Sequence, residues 1–208
     1  MDKFETTMAN VRSSFRMLYV FNRRILDLMK YIGKKYNIPY KGGYSQFSNS
    51  SPRNNYGSLD NWAWHWLNMY LYEFVFFRDN TRLSIILQSD TGMWDSETDK
   101  ELAIEKDKEL AIEKFEKTEK SKTKLIFVFS NDNSSYVNLK KLYKDEYLKG
   151  EYTGTFETTE NGKEKMYCMV FDINEFTNKK MTDASLTKFV KYLNSNDIFA
   201  INIVDDFQ

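Results

Sequence analysis

His65 is the single histidine of this 208-residue chain and Cys168 its single cysteine. Any imidazole general base, and any Ser-His-Asp or Cys-His arrangement, must therefore pass through His65. A zinc site of the usual cysteine and histidine kind cannot be built from two such residues. His65 stands between Trp64 and Trp66, in a setting that reads as structural more than as a proton shuttle. Cys168 lies inside the apolar run Met166-Tyr167-Cys168-Met169-Val170-Phe171, so a buried, unreactive thiol is expected. One cysteine makes no internal disulfide.

Carboxylates offer more chemistry. Asp90, Asp132, Asp172, Glu175 and the pair Asp205-Asp206 fall at or near the ends of expected strands. In open α/β sheets ligands collect beyond the carboxyl ends of strands. If those strands ran parallel, Asp90, Asp172 and Asp205 would converge. They could then hold Mg²⁺ or Mn²⁺ for phosphoryl transfer, with Lys124 or Lys165 stabilising charge. Against this, Asp is an ordinary turn residue, and the Asn161-Gly162 turn signals at least one antiparallel hairpin. No Glu-x-Lys of the nuclease kind falls on an expected strand. The reading without a cofactor leads, and the divalent cation belongs to the alternative.

The elements that must carry these residues follow from periodicity. Phe4, Met8, Val11, Phe15, Leu18, Asn22, Ile25, Met29, Ile32 and Tyr36 alternate steps of four and three, a heptad stripe that defines one amphipathic helix over 4–36. Asn22 is its single polar break. Met17, Val20, Phe21, Leu26 and Leu28 widen the apolar face, so packing on the chain's own sheet is preferred to a homodimeric coiled coil through 4–36. On the opposite face Arg16, Arg23 and Lys30 recur every seventh residue. That stripe could meet nucleic-acid phosphates or an acidic partner, but a solvated helix back is the preferred reading, because the chain as a whole is neutral and no nucleic-acid motif accompanies it.

Residues 41–58 hold turn residues throughout and read as a polar loop, without the spacing of a phosphate-binding loop. From Trp62 to Phe77 the pattern has period two, and Arg78-Asp79-Asn80-Thr81 turns it back into Leu83 to Gln88. Centring that turn on Asp79-Asn80 sets Leu83, Ile85 and Leu87 opposite Phe76, Phe74 and Tyr72 on the core face. Glu73, Val75, Ser84, Ile86 and Gln88 then share a mixed second face. Trp62, Trp64 and Trp66, with His65, extend past the paired part and could form a recognition patch with the 41–58 loop.

Residues 99–106 and 107–114 repeat the same eight amino acids, Asp-Lys-Glu-Leu-Ala-Ile-Glu-Lys. At about 100° per residue each copy rotates its apolar positions by about 80°, which predicts a charged, solvated helical insertion over 97–120. Strands are expected at 124–129, 152–158, 166–173 and 198–204, with helices at 136–148 and 184–193.

Two prolines, eight glycines and 16% aromatic residues exclude a disordered or collagen-like chain. No apolar stretch reaches the roughly 18 residues of a membrane span, and the expected location is cytoplasmic. The 30 basic and 30 acidic side chains balance, but residues 1–60 carry ten of the basic and only four of the acidic ones. The fold class expected is α+β, with α/β as the alternative: a single domain spanning 1–208, its mixed sheet covered by the long first helix and further helices. The function expected is non-catalytic binding of a protein partner, through Trp62, Trp64, His65 and Trp66 or through Arg16, Arg23 and Lys30. The alternative is a metal-dependent phosphodiesterase or nuclease.

Overall fold

The computed structural model describes residues 2–45, 71–92, 115–131, 153–157 and 165–204. Within them the chain runs through α1 (Lys3–Lys35), β1 (Tyr40–Ser45), β2 (Leu71–Arg78), β3 (Thr81–Gln88), β4 (Lys124–Ser130), β5 (Thr153–Glu157) and β6 (Lys165–Asp172). A 3-10 turn at Ile173–Phe176 leads into α2 (Lys179–Asn194). The strands make one six-stranded sheet in the order β1-β2-β3-β4-β6-β5. This is a single-domain α+β fold with a long first helix.

Every strand pairing is antiparallel, where intervening helices suggested a mixed sheet. The reason lies in where the connections begin and end. Gln88, the last residue of β3, faces Lys124, the first of β4. The 89–123 connection therefore leaves and re-enters at the same edge, as an antiparallel pair requires, whatever it contains. The β2–β3 hairpin has the expected register, with Phe76 against Leu83, Phe74 against Ile85 and Tyr72 against Leu87. Asp79 turns it at φ 54°, in the left-handed region that Asp tolerates better than most side chains.

That register continues across β4 and β6, so Phe74, Ile85, Phe127 and Met169 form one row and Phe76, Leu83, Phe129 and Tyr167 the next. These rows are one wall of the core. The other wall is Ile25, Met29, Ile32 and Tyr36 from the end of α1, with Leu186, Phe189 and Leu193 from α2. Phe127 stands at the centre, 5.1 Å from Phe171 and 5.2 Å from Phe189 by ring centroids, edge to face.

The junction after α1 is closed by two backbone bonds. The Ile38 N–H donates to the Gly33 carbonyl at 2.9 Å and the Asn37 N–H to the Lys34 carbonyl at 3.0 Å. Asn37 supplies the left-handed residue at φ 52°, the Schellman arrangement with Asn in the place of Gly. The same pair of bonds ends α2, from Asp197 to Asn194 and from Ile198 to Leu193, with Asp197 at φ 61°. The helices are tied together by Tyr36, whose hydroxyl donates to the Leu186 carbonyl at 3.0 Å. Asp183 accepts from the Tyr31 hydroxyl at 2.5 Å and pairs with the buried Lys35 at 3.8 Å.

Three expected segments differ. Residues 41–45 of the polar loop belong to β1, an edge strand with a bulge between Tyr40 and Gly42. Its Gly43 passes so close to β2 that a Cβ there would stand 2.7 Å from both the Glu73 carbonyl oxygen and the Tyr72 ring, so pairing overrides the turn-like composition. Residues 46–58 lie outside the described residues. The same holds for 97–114 of the expected helical insertion, but its end, 115–120, is irregular with a turn at Thr118–Lys120 rather than helix. Residues 198–204 have no regular secondary structure, with a bend at Ala200, and do not join the sheet. Ile201 is buried in the core, Phe199 is exposed, and the Val204 N–H bonds the Lys35 carbonyl at 2.9 Å. An orphan carbonyl at the end of α1 takes the place of a ladder partner. The expected helix at 136–148 lies outside the described residues, and β5 and β6 match their expected places.

The second sheet face carries a buried polar cluster. Glu73 is fully buried; it accepts from the Ser84 hydroxyl at 2.6 Å and from the Arg82 guanidinium at 3.1 Å. Arg82 also donates from Nε to Ser84 Oγ at 3.2 Å and reaches the Tyr44 hydroxyl at 3.4 Å. Removing one partner of such a pair leaves the other charged and out of water. Glu73→Ala should therefore lower the unfolding free energy by about 3–5 kcal/mol in urea denaturation. A loss below about 1 kcal/mol, typical of solvent-exposed ion pairs, would contradict this account.

Candidate functional site

The sequence-derived candidates fall in three groups. Trp62, Trp64, His65, Trp66, Asp132, Asp205 and Asp206 lie outside the described residues. Asp90 and Asp172 are described, and the sheet brings them to one edge: β3 and β6 both pair antiparallel with β4, so they run the same way and end together. Two strand spacings, about 9–10 Å, separate those ends. Both carboxylates are engaged in local turns. Asp90 accepts from the Gly92 N–H at 2.7 Å. Asp172 accepts from the Asn174 N–H at 2.9 Å while Glu175 accepts from the Asp172 N–H at 3.2 Å, a capping box that starts the 3-10 turn. Lys124 is buried one strand away, opposite Asp172, whereas Lys165 is exposed at the other end of β6. Among the described residues no group of three or more His, Cys, Asp or Glu side chains could hold a metal ion.

Cys168 is fully buried in β6. Burial pushes its thiol up to about 12. The thiolate that would act as nucleophile or metal ligand is thereby suppressed at neutral pH.

The remaining group is on α1, whose two ends meet different surroundings. Ile25, Met29, Ile32 and Lys35 are buried, whereas no residue from Asp2 to Arg24 is. The heptad stripe nevertheless runs on through those turns, apolar at every position from Phe4 to Leu18 and polar at Asn22. Phe4 is 66% exposed, Phe15 62% and Val11 41%, with Met8 and Leu18 half-buried. A helix rises about 1.5 Å per residue, so Lys3 to Asn22 presents this stripe over about 30 Å. Arg16, Arg23 and Lys30 are exposed on the back of the helix, Lys30 lying 3.7 Å from Asp27. Arg12 pairs with Glu5 at 3.1 Å along one flank. The spacing was visible in the sequence; that the core consumes only its last third was not, because periodicity reports a face and not what lies against it.

Comparison places this α+β domain in a family. A family model described as PM0109 matches residues 2–198, and the chain belongs to that family. No curated protein and no solved structure matches the chain. No helix among the described residues is long and apolar enough to cross a membrane.

The buried hydroxyls give this surroundings a pH signature. The Tyr192 hydroxyl is pushed up to about 12 by burial and by the neighbouring Cys168 and Tyr167. Tyr44 also rises to about 12, through burial first and the Glu73 charge second, with Arg82 opposing. Each group is neutral when protonated, and its folded value exceeds its ordinary one, 9.0 for the thiol and 10.0 for the phenols. Their contribution is complete below those ordinary values and is lost as pH rises through about 12. The thermal midpoint should accordingly fall between about pH 9 and 12, and Cys168 should resist a thiol reagent at pH 8 until urea unfolds the chain. Rapid labelling of the native protein would contradict the burial of Cys168.

Proposed function

We propose that this protein is a non-catalytic interaction module whose docking element is the N-terminal part of α1. The observation that supports the reading is the exposure of Phe4, Val11 and Phe15 on the same stripe whose continuation, Ile25, Met29 and Ile32, is buried in the core. Scattered apolar residues are ordinary on a surface, but a row of them at seam spacing is not. Burying a Val, Leu, Ile, Phe or Met side chain is worth about 1.5–3 kcal/mol, and Phe4 and Phe15 forgo more than half of that in the isolated chain, Val11 less. An unsupported helix of this length is also marginal in water. Both costs are offset when a partner covers the stripe. The partner class is protein, since the stripe is apolar and the basic Arg16 and Arg23 lie on the helix back.

A pair of substitutions tests this. At micromolar concentration or below, Ile32→Ala should cost about 2–5 kcal/mol of unfolding free energy, as a buried side chain does. Phe15→Ala should cost under about 0.5 kcal/mol, because in the free chain Phe15 supports nothing. Equal losses would show that the stripe belongs to the protein's own core, and the reading would fall.

A further inference from the structure

We infer that the partner of the free stripe is a second copy of this chain, joined as an antiparallel two-helix seam over Phe4 to Asn22. The inference rests on the interaction reading above and names its partner. The positions Phe4, Met8, Val11, Phe15, Leu18 and Asn22 keep the strict four-three alternation of a two-stranded seam. The residues that flank it are Glu5, Arg12 and Tyr19 on one side and Thr7, Ser14 and Phe21 on the other. Their charge sums to zero, and Arg12 already pairs with Glu5. Arg16, Arg23 and Arg24 lie farther round the helix, away from the seam. An identical helix therefore meets no net repulsion at the flanks, and an acidic partner would find no cations there beyond the paired Arg12.

The orientation follows from the rest of α1. Ile25, Met29 and Ile32 lie on the same stripe and are buried against the chain's own core. A parallel partner, continuing along that face past residue 22, would run into the sheet. An antiparallel partner instead sets its own Phe4, the first residue of the stripe, against that end. Phe4 then lies opposite Asn22 of the second copy, Met8 opposite its Leu18 and Val11 opposite its Phe15. Asn22, the one polar seam residue, falls at the end of the pair, where its amide reaches water. Phe4 and Phe15, 66% and 62% exposed, each have about 100–150 Å² left to bury. Four such rings, with Met8, Val11, Leu18 and the flanking, exposed Tyr19 from both copies, bring the pair to the order of 1,000 Å² that marks a specific interface.

The test is mass and cross-linking of the full chain. At about 50–100 μM light scattering should give twice the 24.8 kDa monomer mass. Phe15→Asp should weaken association about 100-fold. Met17→Asp, an exposed apolar residue off the seam, should leave the dimer intact. Under mild oxidation the double variant Phe4→Cys, Asn22→Cys should cross-link between copies, and Asn22→Cys alone should not. A cross-link by Asn22→Cys alone would mean a parallel pair and overturn the arrangement. A monomer at every concentration, with Phe15→Asp leaving the dilute unfolding midpoint unchanged, would overturn self-association yet keep the interaction reading. A midpoint lowered as far as by Ile32→Ala would overturn both.

Discussion

β4 has no solvent face. Every side chain from Lys124 to Ser130 is buried, so both surfaces of the sheet at its centre are out of water, and the rest of the molecule is arranged around that requirement. On one side, α2 and the last three turns of α1 set Phe189, Leu193, Ile25, Met29 and Ile32 against the Phe127 and Phe129 rows. On the other, Ile126 and Val128 share their face with Glu73, Arg82 and Ser84, where the two buried charges pair and Ser84 donates to Glu73. The orphaned amide of Gln88, buried without a hydrogen-bond partner on either atom, marks a place where that satisfaction is incomplete.

The first helix is governed by the same requirement and then outruns it. Its final turns are fixed by the Tyr36 hydroxyl, the Lys35 and Asp183 pair and the two backbone bonds around Asn37. With that end held, the preceding turns leave the domain in a set direction. A rigid attachment lowers the entropy lost when a partner docks, so the anchoring of one end contributes to what the other end can do.

Much of this was legible in the sequence, for reasons that can be assigned residue by residue. The β2–β3 register followed from period two and one turn at Asp79-Asn80, because a slip of one residue would have put Phe74 and Phe76 on the face of Ser84 and Gln88, away from Leu83, Ile85 and Leu87. The heptads located α1 to within a residue or so at either end. Strand direction was not legible, since a helix between two strands says nothing about the edge at which the connection returns. Nor was β1, whose Gly42 and Gly43 look like a loop until Tyr72 is seen to occupy the space a side chain at Gly43 would need. The 198–204 run misled because a nearly continuous apolar run suits an irregular segment packed on a core as well as a strand buried on both faces. Of the candidate site, the stripe could be read; its division between core and solvent depends on where the sheet ends, a tertiary fact. Asp90 and Asp172 share an edge, yet backbone N–H groups nearby already claim them.

The pairing of Gln88 with Lys124 has one more consequence, for how this chain can change. The described ends of the 89–123 connection are tied together by the Thr91 N–H to the Lys122 carbonyl and the Glu116 N–H to the Gly92 carbonyl, so the length between them acts on the sheet through the entropy of closing a loop from Gly92 to Glu116. That entropy varies with the logarithm of length, so gaining or losing one copy of the eight-residue repeat at 99–114 alters it by only a few tenths of a kcal/mol. As far as chain closure is concerned, a change of one copy is small beside the hydrogen bonds that hold the sheet together.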